Sequence, residues 1–226
     1  MTTVLVIGAS RGIGFEFVRQ SLQAGERVIA TARDDAGRER LAALGAQVLT
    51  VDVANPASVS GLAWQLDGEK IDTALYVAGV MNRADATEPP TQPEFDRVMH
   101  ANVLGAMQVI PQVAPLVATS DQPGGGRFGF ISSVMGRIGG VAAGNAWLYR
   151  VSKAALNMAV ASAQPCYAGV TMVALHPGWV QTDMGGASAP VTVTDSAAGL
   201  RATLAALTPS DRGRFLNYDG TPFDSW

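Results

Sequence analysis

A tyrosine and a lysine four residues apart are the side chains of this sequence best suited to chemistry. They are Tyr149 and Lys153, and Lys70 is the only other lysine. On a helix, residues at i and i+4 lie on the same face. An ammonium group beside a phenol favours the phenolate, so the pair is expected to give and accept a proton near neutral pH. A solvated surface pair would show the same spacing, and the remaining sequence has to decide between the two interpretations.

A glycine-rich segment near the start of the chain predicts a phosphate site. The apolar run Val4–Ile7 is typical of a buried parallel strand. Gly8, Gly12 and Gly14 follow it, and apolar residues then recur at helical spacing as far as Gly25. Glycines let the backbone approach a ligand, and the N–H groups of a helix start attract a pyrophosphate. The G-x-x-x-G-x-G spacing is not the usual dinucleotide fingerprint, and an ordinary turn is the alternative.

Composition narrows the class of protein. The 226 residues suit one domain, residues 1–226, and 48% of them are hydrophobic while 15% are charged. A net charge of −3 and the lack of a basic run give no indication of a nucleic-acid-binding surface. No apolar run approaches the ~20 residues of a membrane span, and no leader is expected ahead of the first strand. The single cysteine, Cys166, suits a reducing compartment, so a cytoplasmic location is expected. No His, Cys or carboxylate spacing indicates a metal site.

Strands alternate with helices along the chain, which predicts an α/β fold. We expect one Rossmann-type, doubly wound parallel sheet of about seven strands with helices on both faces. The predicted strands are Val4–Ile7, Arg27–Ala32, Gln47–Val51, Asp72–Val77, Arg127–Ser132, Val170–Leu175 and Arg214–Asn217. A long helix is predicted over Glu94–Ala118, bent or shortened by Pro111 and Pro115. The helix Trp147–Ala163 contains the Tyr149–Lys153 pair.

In such sheets, ligands bind at the carboxyl ends of the strands. The residues at those ends therefore form one candidate set, and the motifs around them occur in a characteristic order. They are Gly8-x-x-x-Gly12-Ile13-Gly14, Asp52-Val53, Ala78-Gly79, Asn102-Val103-Leu104-Gly105, Ile131-Ser132-Ser133, Tyr149-x-x-x-Lys153 and Pro177-Gly178-x-x-x-Thr182.

These motifs resemble the short-chain dehydrogenase/reductase family over nearly the whole chain. The sixteen residues from Ser133 to Tyr149 and the ending 213–220 are similar to the C-factor-like and sniffer-like carbonyl reductase branch. Two positions depart from the family pattern, which usually has threonine before the first glycine and asparagine before the Ala-Gly pair. Here they are Ile7 and Val77, and because the usual residues serve structural hydrogen bonds, we expect the change to affect local geometry near the cofactor more than chemistry.

The resemblance implies a reaction and a role for each residue. Tyr149 would protonate a carbonyl oxygen as hydride arrives, and Ser133 would hold that carbonyl. Lys153 would lower the pKa of Tyr149 and bind the nicotinamide ribose. Asn102 would hold a water near Lys153, although an asparagine that merely bonds backbone in a bent helix is the alternative. Ser132 is expected to be structural.

The resemblance also implies a nicotinamide dinucleotide, and two arginines favour NADP(H) over NAD(H). Ala32 stands where an acid would bind the ribose hydroxyl, and Arg33 and Arg11 suit a 2′-phosphate. Asp34 and Asp35 would either repel that phosphate or pair with arginine. Asp52 and Val53 would contact adenine, and Thr182 the carboxamide. The other implied cofactor residues are Gly8, Ser10, Gly12, Ile13, Gly14, Ala78, Gly79, Tyr149, Lys153, Pro177, Gly178 and Val180.

The substrate is expected to be a small carbonyl compound or alcohol. Residues that would line an apolar pocket, or else pack in the core, are Met135, Trp147, Trp179, Met184, Val80 and Met81. His100 and His176 are expected to be structural. The resemblance implies a homodimer or homotetramer, with Met107, Val109, Met158 and Val160 as contacts or equally as core residues. An NADP(H)-binding sensor with little activity remains an alternative function.

Overall fold

The computed structural model describes residues 1–226, and its centre is one parallel sheet of seven strands. The strands are β1 (Thr3–Ile7), β2 (Arg27–Ala32), β3 (Gln47–Thr50), β4 (Thr73–Tyr76), β5 (Gly126–Ile131), β6 (Val170–His176) and β7 (Phe215–Asn217). Their order is β3-β2-β1-β4-β5-β6-β7, and every neighbouring pair is parallel. The central strands are mostly apolar because both faces of the sheet are covered. The seven predicted strands are confirmed, with ends that shift by at most one residue.

Eight α-helices cover the two faces of the sheet. They are α1 (Gly12–Gln23), α2 (Asp35–Ala43), α3 (Pro56–Val59), α4 (Leu62–Gln65), α5 (Gln92–Met99), α6 (Gly105–Val117), α7 (Trp147–Ala163) and α8 (Val193–Ala206). One core cluster packs α1, α2 and α8 on one face, and the other packs α3, α4, α6 and α7 on the opposite face. This is the doubly wound arrangement that the sequence predicts. No helix combines the length and apolar character needed to cross a membrane.

The long helix predicted before β5 is irregular at a different place from the one expected. Pro111 and Pro115 do not shorten it, and α6 continues through both to Val117. Both prolines are exposed, so the carbonyl groups that they leave without an N–H partner can bond to water. The regular hydrogen bonding changes instead at His100–Leu104, a π-helical segment between α5 and α6. Such segments often occur at functional sites.

The strand order brings distant parts of the chain to one edge. The connection after β1 leads outward to β2 and β3, and the chain then returns to β4 on the other side of β1. The crevice between the loops after β1 and β4 is the usual ligand position in such a sheet.

Candidate active site

The helix α7 presents Tyr149 and Lys153 to the interior of the protein. Their residues are only 6% and 3% exposed, and the Lys153 Nζ lies 5.6 Å from the centroid of the Tyr149 ring. The same Nζ donates a hydrogen bond of 2.8 Å to the Ile131 carbonyl at the end of β5. The two side chains therefore share one buried face, and the surface-pair interpretation is wrong.

The two serines after β5 face different surroundings. The Ser132 hydroxyl donates to Asn157 Oδ1 at 2.6 Å within the core, which is the structural role expected for it. The Ser133 oxygen accepts the Met135 N–H at 3.1 Å, and this hydroxyl interacts with Tyr149. Ser133 therefore lies beside the phenol, where it can share a ligand oxygen with Tyr149.

Burial acts on the pKa values of the pair in opposite directions, because it disfavours the charged form of each. Desolvation raises the pKa of Tyr149 to about 12, and the Ser133 hydroxyl opposes that rise. Desolvation lowers the pKa of Lys153 to about 7. The predicted lowering of the Tyr149 pKa by Lys153 is absent, since burial penalises the ammonium form too. Lys153, rather than Tyr149, is the group that titrates near neutral pH.

The π-helical segment holds Asn102 in the core. Its Oδ1 accepts the Val80 N–H at 2.8 Å, and its Nδ2 donates to the Val80 carbonyl and to Ser152 Oγ, both at 2.8 Å. A methyl group added to Gly79 would lie 3.2 Å from Asn102 Oδ1 and 3.4 Å from Lys153 Nζ. Asn102 thus bonds backbone, as the alternative interpretation expects, and its Oδ1 lies close to Gly79, which Lys153 Nζ also approaches.

A buried hydroxyl supports this segment. The Tyr76 Oη donates a hydrogen bond of 2.9 Å to the Ala101 carbonyl, one residue before Asn102. Gly105, which follows the segment, approaches so closely that a methyl group on it would lie 2.6 Å from both Tyr76 Oη and the Val53 carbonyl. These contacts fix the backbone around Asn102.

The glycine loop between β1 and α1 has the shape of a phosphate cradle. Gly8 has φ +88°, and a Cβ on it would lie 2.7 Å from the Ala78 nitrogen. A Cβ on Gly14 would lie 2.9 Å from the Gly8 carbonyl oxygen. Helix α1 begins at Gly12, and no side chain caps its first N–H groups. Those N–H groups and the helix dipole suit a pyrophosphate, so the residues present fit a dinucleotide.

The arginines predicted to read a 2′-phosphate are exposed near this loop. Arg33, at the end of β2, has its Nε 3.9 Å from Asp34 Oδ2, and the other Asp34 oxygen caps α2 by accepting the Gly37 N–H at 2.7 Å. Arg11 forms an exposed ion pair of 3.0 Å with Asp183.

The neighbouring Asp35 also has an ion-pair partner, because its carboxylate lies 2.5 Å from the Arg38 guanidinium. Arg40, which the sequence did not single out, donates to the Ser10 carbonyl at 3.1 Å. Both carboxylates, those of Asp34 and Asp35, therefore already have polar partners. This favours the interpretation that they pair with arginine over the interpretation that they repel a 2′-phosphate.

A cavity of about 700 Å³ opens beside Tyr149 and continues to the loop after β6. It is bordered by the predicted residues Arg11, Gly12, Ile13, Gly79, Ser133, Tyr149, Lys153, Pro177, Gly178, Val180 and Thr182. The predicted residues Gly8, Ser10, Gly14, Arg33, Asp52, Val53, Ala78 and Asn102 do not line it. Apart from the buried Asn102, those residues belong to the glycine loop and to the ends of β2, β3 and β4, where an adenosine half would extend.

The apolar wall of the cavity differs in part from expectation. Met81, Met135, Trp179 and Met184 line it as predicted, whereas Val80 and Trp147 do not. Val80 is held in the Asn102 hydrogen bonds, and the Trp147 N–H bonds to the Ala84 carbonyl at the start of α7. Among the lining residues that were not predicted are Arg83, Asn145 and Gln181. Nothing in the local sequence distinguishes them, because distant contacts bring them to the cavity.

His176 also borders the cavity. Its Nδ1 accepts the Val134 N–H at 3.2 Å, and burial lowers its pKa to about 4, so the imidazole is neutral. The bond fixes the turn after Ser133, in agreement with a structural role.

The sequence relatives agree with this architecture. The model of the short chain dehydrogenase family matches residues 2–191. A 1-hydroxy-2-glutathionyl-2-methyl-3-butene dehydrogenase from Rhodococcus sp. (strain AD45) is 37% identical over 235 residues and covers 100% of both chains. The C-signal protein of Myxococcus xanthus is 37% identical over 153 residues, which cover 67% of this chain and 90% of that protein.

Solved structures agree as well. The carbonyl reductase Sniffer of D. melanogaster is similar with a TM-score of 0.89 and 29% identity, covering 100% of both chains. A carbonyl reductase from Pseudomonas aeruginosa PAO1 in complex with NADP gives a TM-score of 0.85 and 32% identity, again covering 100% of both chains. These likenesses confirm the resemblance to the C-factor-like and sniffer-like branch. The chain belongs to the short-chain dehydrogenase family.

Proposed function

We propose that this protein is an NADPH-dependent oxidoreductase that reduces an aldehyde or ketone to an alcohol, or catalyses the reverse reaction. The observation that carries the proposal is that Tyr149, Lys153 and Ser133 line one cavity that also reaches the end of the glycine loop at Gly12. The carbonyl reductase relatives and the NADP-bound structure support the same chemistry.

The glycine loop and α1 would hold the pyrophosphate, and Lys153 the ribose next to the nicotinamide. Arg33 and Arg11 would bind the 2′-phosphate, since guanidinium groups suit phosphate. Asp52 and Val53 would contact adenine, and Thr182 the carboxamide. When bound, NADPH supplies the hydride.

Tyr149 is suited to deliver the proton. With a pKa raised to about 12, its hydroxyl stays protonated throughout the neutral range and is available as a donor. Ser133, next to it, would donate a second hydrogen bond to the same carbonyl oxygen and so fix its position. A protonated Lys153 beside the phenol would stabilise the negative charge that develops as the proton leaves.

The approach of Asn102 Oδ1 and Lys153 Nζ to the same residue, Gly79, supports a route for replacing that proton. A water between the two groups would accept a hydrogen bond from Lys153 Nζ and donate one to Asn102 Oδ1. Asn102 is therefore proposed as a positioning residue that links Lys153 to solvent.

The test is cofactor consumption by the purified protein with NADPH and NADH against aldehydes, ketones and diketones. Tyr149→Phe removes only the hydroxyl and is expected to abolish turnover while NADPH still binds. Tyr167→Phe is the matched control, since Tyr167 lies outside the cavity, and it is expected to retain turnover. Tight NADPH binding without turnover of any carbonyl or alcohol would instead favour the sensor function. Equal efficiency with NADH would refute the roles of Arg11 and Arg33.

Self-association also remains a proposal. Of the four apolar residues considered from the sequence, Val109 and Val160 are in the core, whereas Met107 and Met158 are 54% and 66% exposed. We propose that the two methionines contact a second copy in a homodimer or homotetramer. Sedimentation of Met107→Gln with Met158→Gln, against the unmodified protein, tests this directly, and an unchanged mass would refute it.

A further inference from the structure

The part of the cavity away from the glycine loop carries an arginine beside an apolar wall. That wall includes Met81, Met135, Trp179 and Met184, which offer flexible and aromatic surface to an apolar body. The arginine is Arg83, which stands at the exposed rim, and the neutral polar residues Asn145 and Gln181 also line the cavity. A cation beside an apolar wall requires an explanation, because the wall alone would suit an uncharged substrate.

The charge of Arg83 has no acidic partner. Its Nη2 donates a hydrogen bond of 2.8 Å to the Met184 carbonyl, and no carboxylate lies within ion-pair distance of it. Asp183, the acid that lines the cavity, pairs with Arg11 at 3.0 Å. Asp85, two residues away in sequence, accepts the Thr87 N–H at 2.8 Å.

The single bond to Met184 also fixes the direction of Arg83. It ties the loop after β4 to the loop after β6, across 101 positions of sequence, and so holds the guanidinium at the cavity rim. The remaining N–H groups of the planar guanidinium are those that pair with a carboxylate in a two-pronged geometry.

We propose that the substrate is an oxo acid, or the corresponding hydroxy acid, whose carboxylate pairs with Arg83 while its apolar body lies on the methionine and tryptophan wall. The carbonyl group at the other end then reaches Tyr149 and Ser133. This inference rests on the proposed oxidoreductase function and adds the class of its substrate.

The experiment compares a series of ω-oxo carboxylic acids of increasing chain length with their methyl esters, in the presence of NADPH. Each ester keeps the aldehyde and the apolar body but lacks the negative charge. The measured quantity is the ratio of kcat/KM for each acid to that for its ester, at low and high salt. The proteins compared are the unmodified chain, Arg83→Gln, Arg83→Lys and Arg97→Gln.

We expect the unmodified protein to prefer the acid at one or more chain lengths by about twofold to fivefold, the range of an exposed ion pair. Arg83→Gln is expected to bring the ratio near one through a higher KM for the acid, and Arg83→Lys to retain part of the preference. Arg97 is an exposed arginine outside the cavity, so Arg97→Gln is expected to keep the full ratio. High salt is expected to reduce the preference.

The possible outcomes distinguish a failure of the carboxylate assignment from a failure of the proposed oxidoreductase function. Turnover of acids and esters with equal efficiency at every chain length would overturn the carboxylate assignment and leave the oxidoreductase function standing. A preference that survives in Arg83→Gln would overturn the assignment to Arg83. Absence of turnover for every acid, ester and uncharged carbonyl would overturn both proposals.

Discussion

Removing the Tyr76 hydroxyl tests whether the π-helical segment depends on one buried hydrogen bond. Tyr76 is fully buried, and its Oη donates at 2.9 Å to the Ala101 carbonyl. Burial and the nearby Asp52 charge raise the pKa of Tyr76 far above its usual value, so the hydroxyl remains a donor over the accessible pH range. Tyr76→Phe keeps the ring in the core and leaves the Ala101 carbonyl without its donor.

The expected magnitude follows from that lost partner. Removing the donor of a buried hydrogen bond costs about 1–3 kcal/mol of stability. For a chain of this length, each kcal/mol lowers Tm by about 2–4 °C, so a loss of about 2 kcal/mol gives a fall of roughly 4–8 °C. Because the next residue is Asn102, we also expect a lower kcat if Asn102 positions the proton route as proposed.

Thermal unfolding followed by circular dichroism, with urea unfolding alongside, measures the effect. Tyr167→Phe is the matched control, since Tyr167 is only partly buried and its hydroxyl makes no hydrogen bond in the structure. The reasoning fails if Tyr76→Phe and Tyr167→Phe unfold within about 1 °C of each other, because the bond to Ala101 would then contribute nothing measurable.

Two further substitutions test the loop and the lysine. Gly8→Ala adds a methyl group 2.7 Å from Ala78 at φ +88°, whereas Gly25→Ala, at φ +77° with nothing within 4 Å, adds only backbone strain of about 1–2 kcal/mol. Urea unfolding should show a larger loss for Gly8→Ala, and equal losses would contradict the close approach. Lys153→Met is expected to stabilise the protein below about pH 7, because burial lowers the pKa of Lys153 to about 7 from 10.5. Between pH 7 and pH 10.5 the unfolded chain holds the proton on Lys153 and the folded chain does not, so the unmodified protein gains stability relative to the variant as pH rises. A difference in unfolding free energy between the two proteins that does not change with pH would refute this.

Local patterns in the sequence suffice for the sheet and for α7. Each strand is a short apolar run that ends in glycine or polar residues, and a spacing of four places Tyr149 and Lys153 on one helical face. The relation between those two residues follows from local chain geometry alone, and the structure shows it as predicted.

Features that depend on distant contacts could not be predicted in the same way. The π-helical segment is hydrogen-bonded by Tyr76 from a distant strand, and Arg83 is held at the cavity by a bond to Met184. The pKa of Tyr149 was misjudged for a related reason: the charge of a neighbour is visible in sequence, whereas the depth at which both groups are buried depends on the whole fold.

The central position of β1 beside β4 has a consequence for how a ligand protects the protein. The cradle belongs to the first half of the chain, and Tyr149 and Thr182 belong to the second, so a ligand that touches both joins the two halves. Local unfolding of either half of the chain would therefore release the ligand. A ligand at a hundredfold excess over its Kd then adds about 2.7 kcal/mol to global unfolding. Amide hydrogen exchange should slow in both edge strands, β3 and β7, far from the ligand itself.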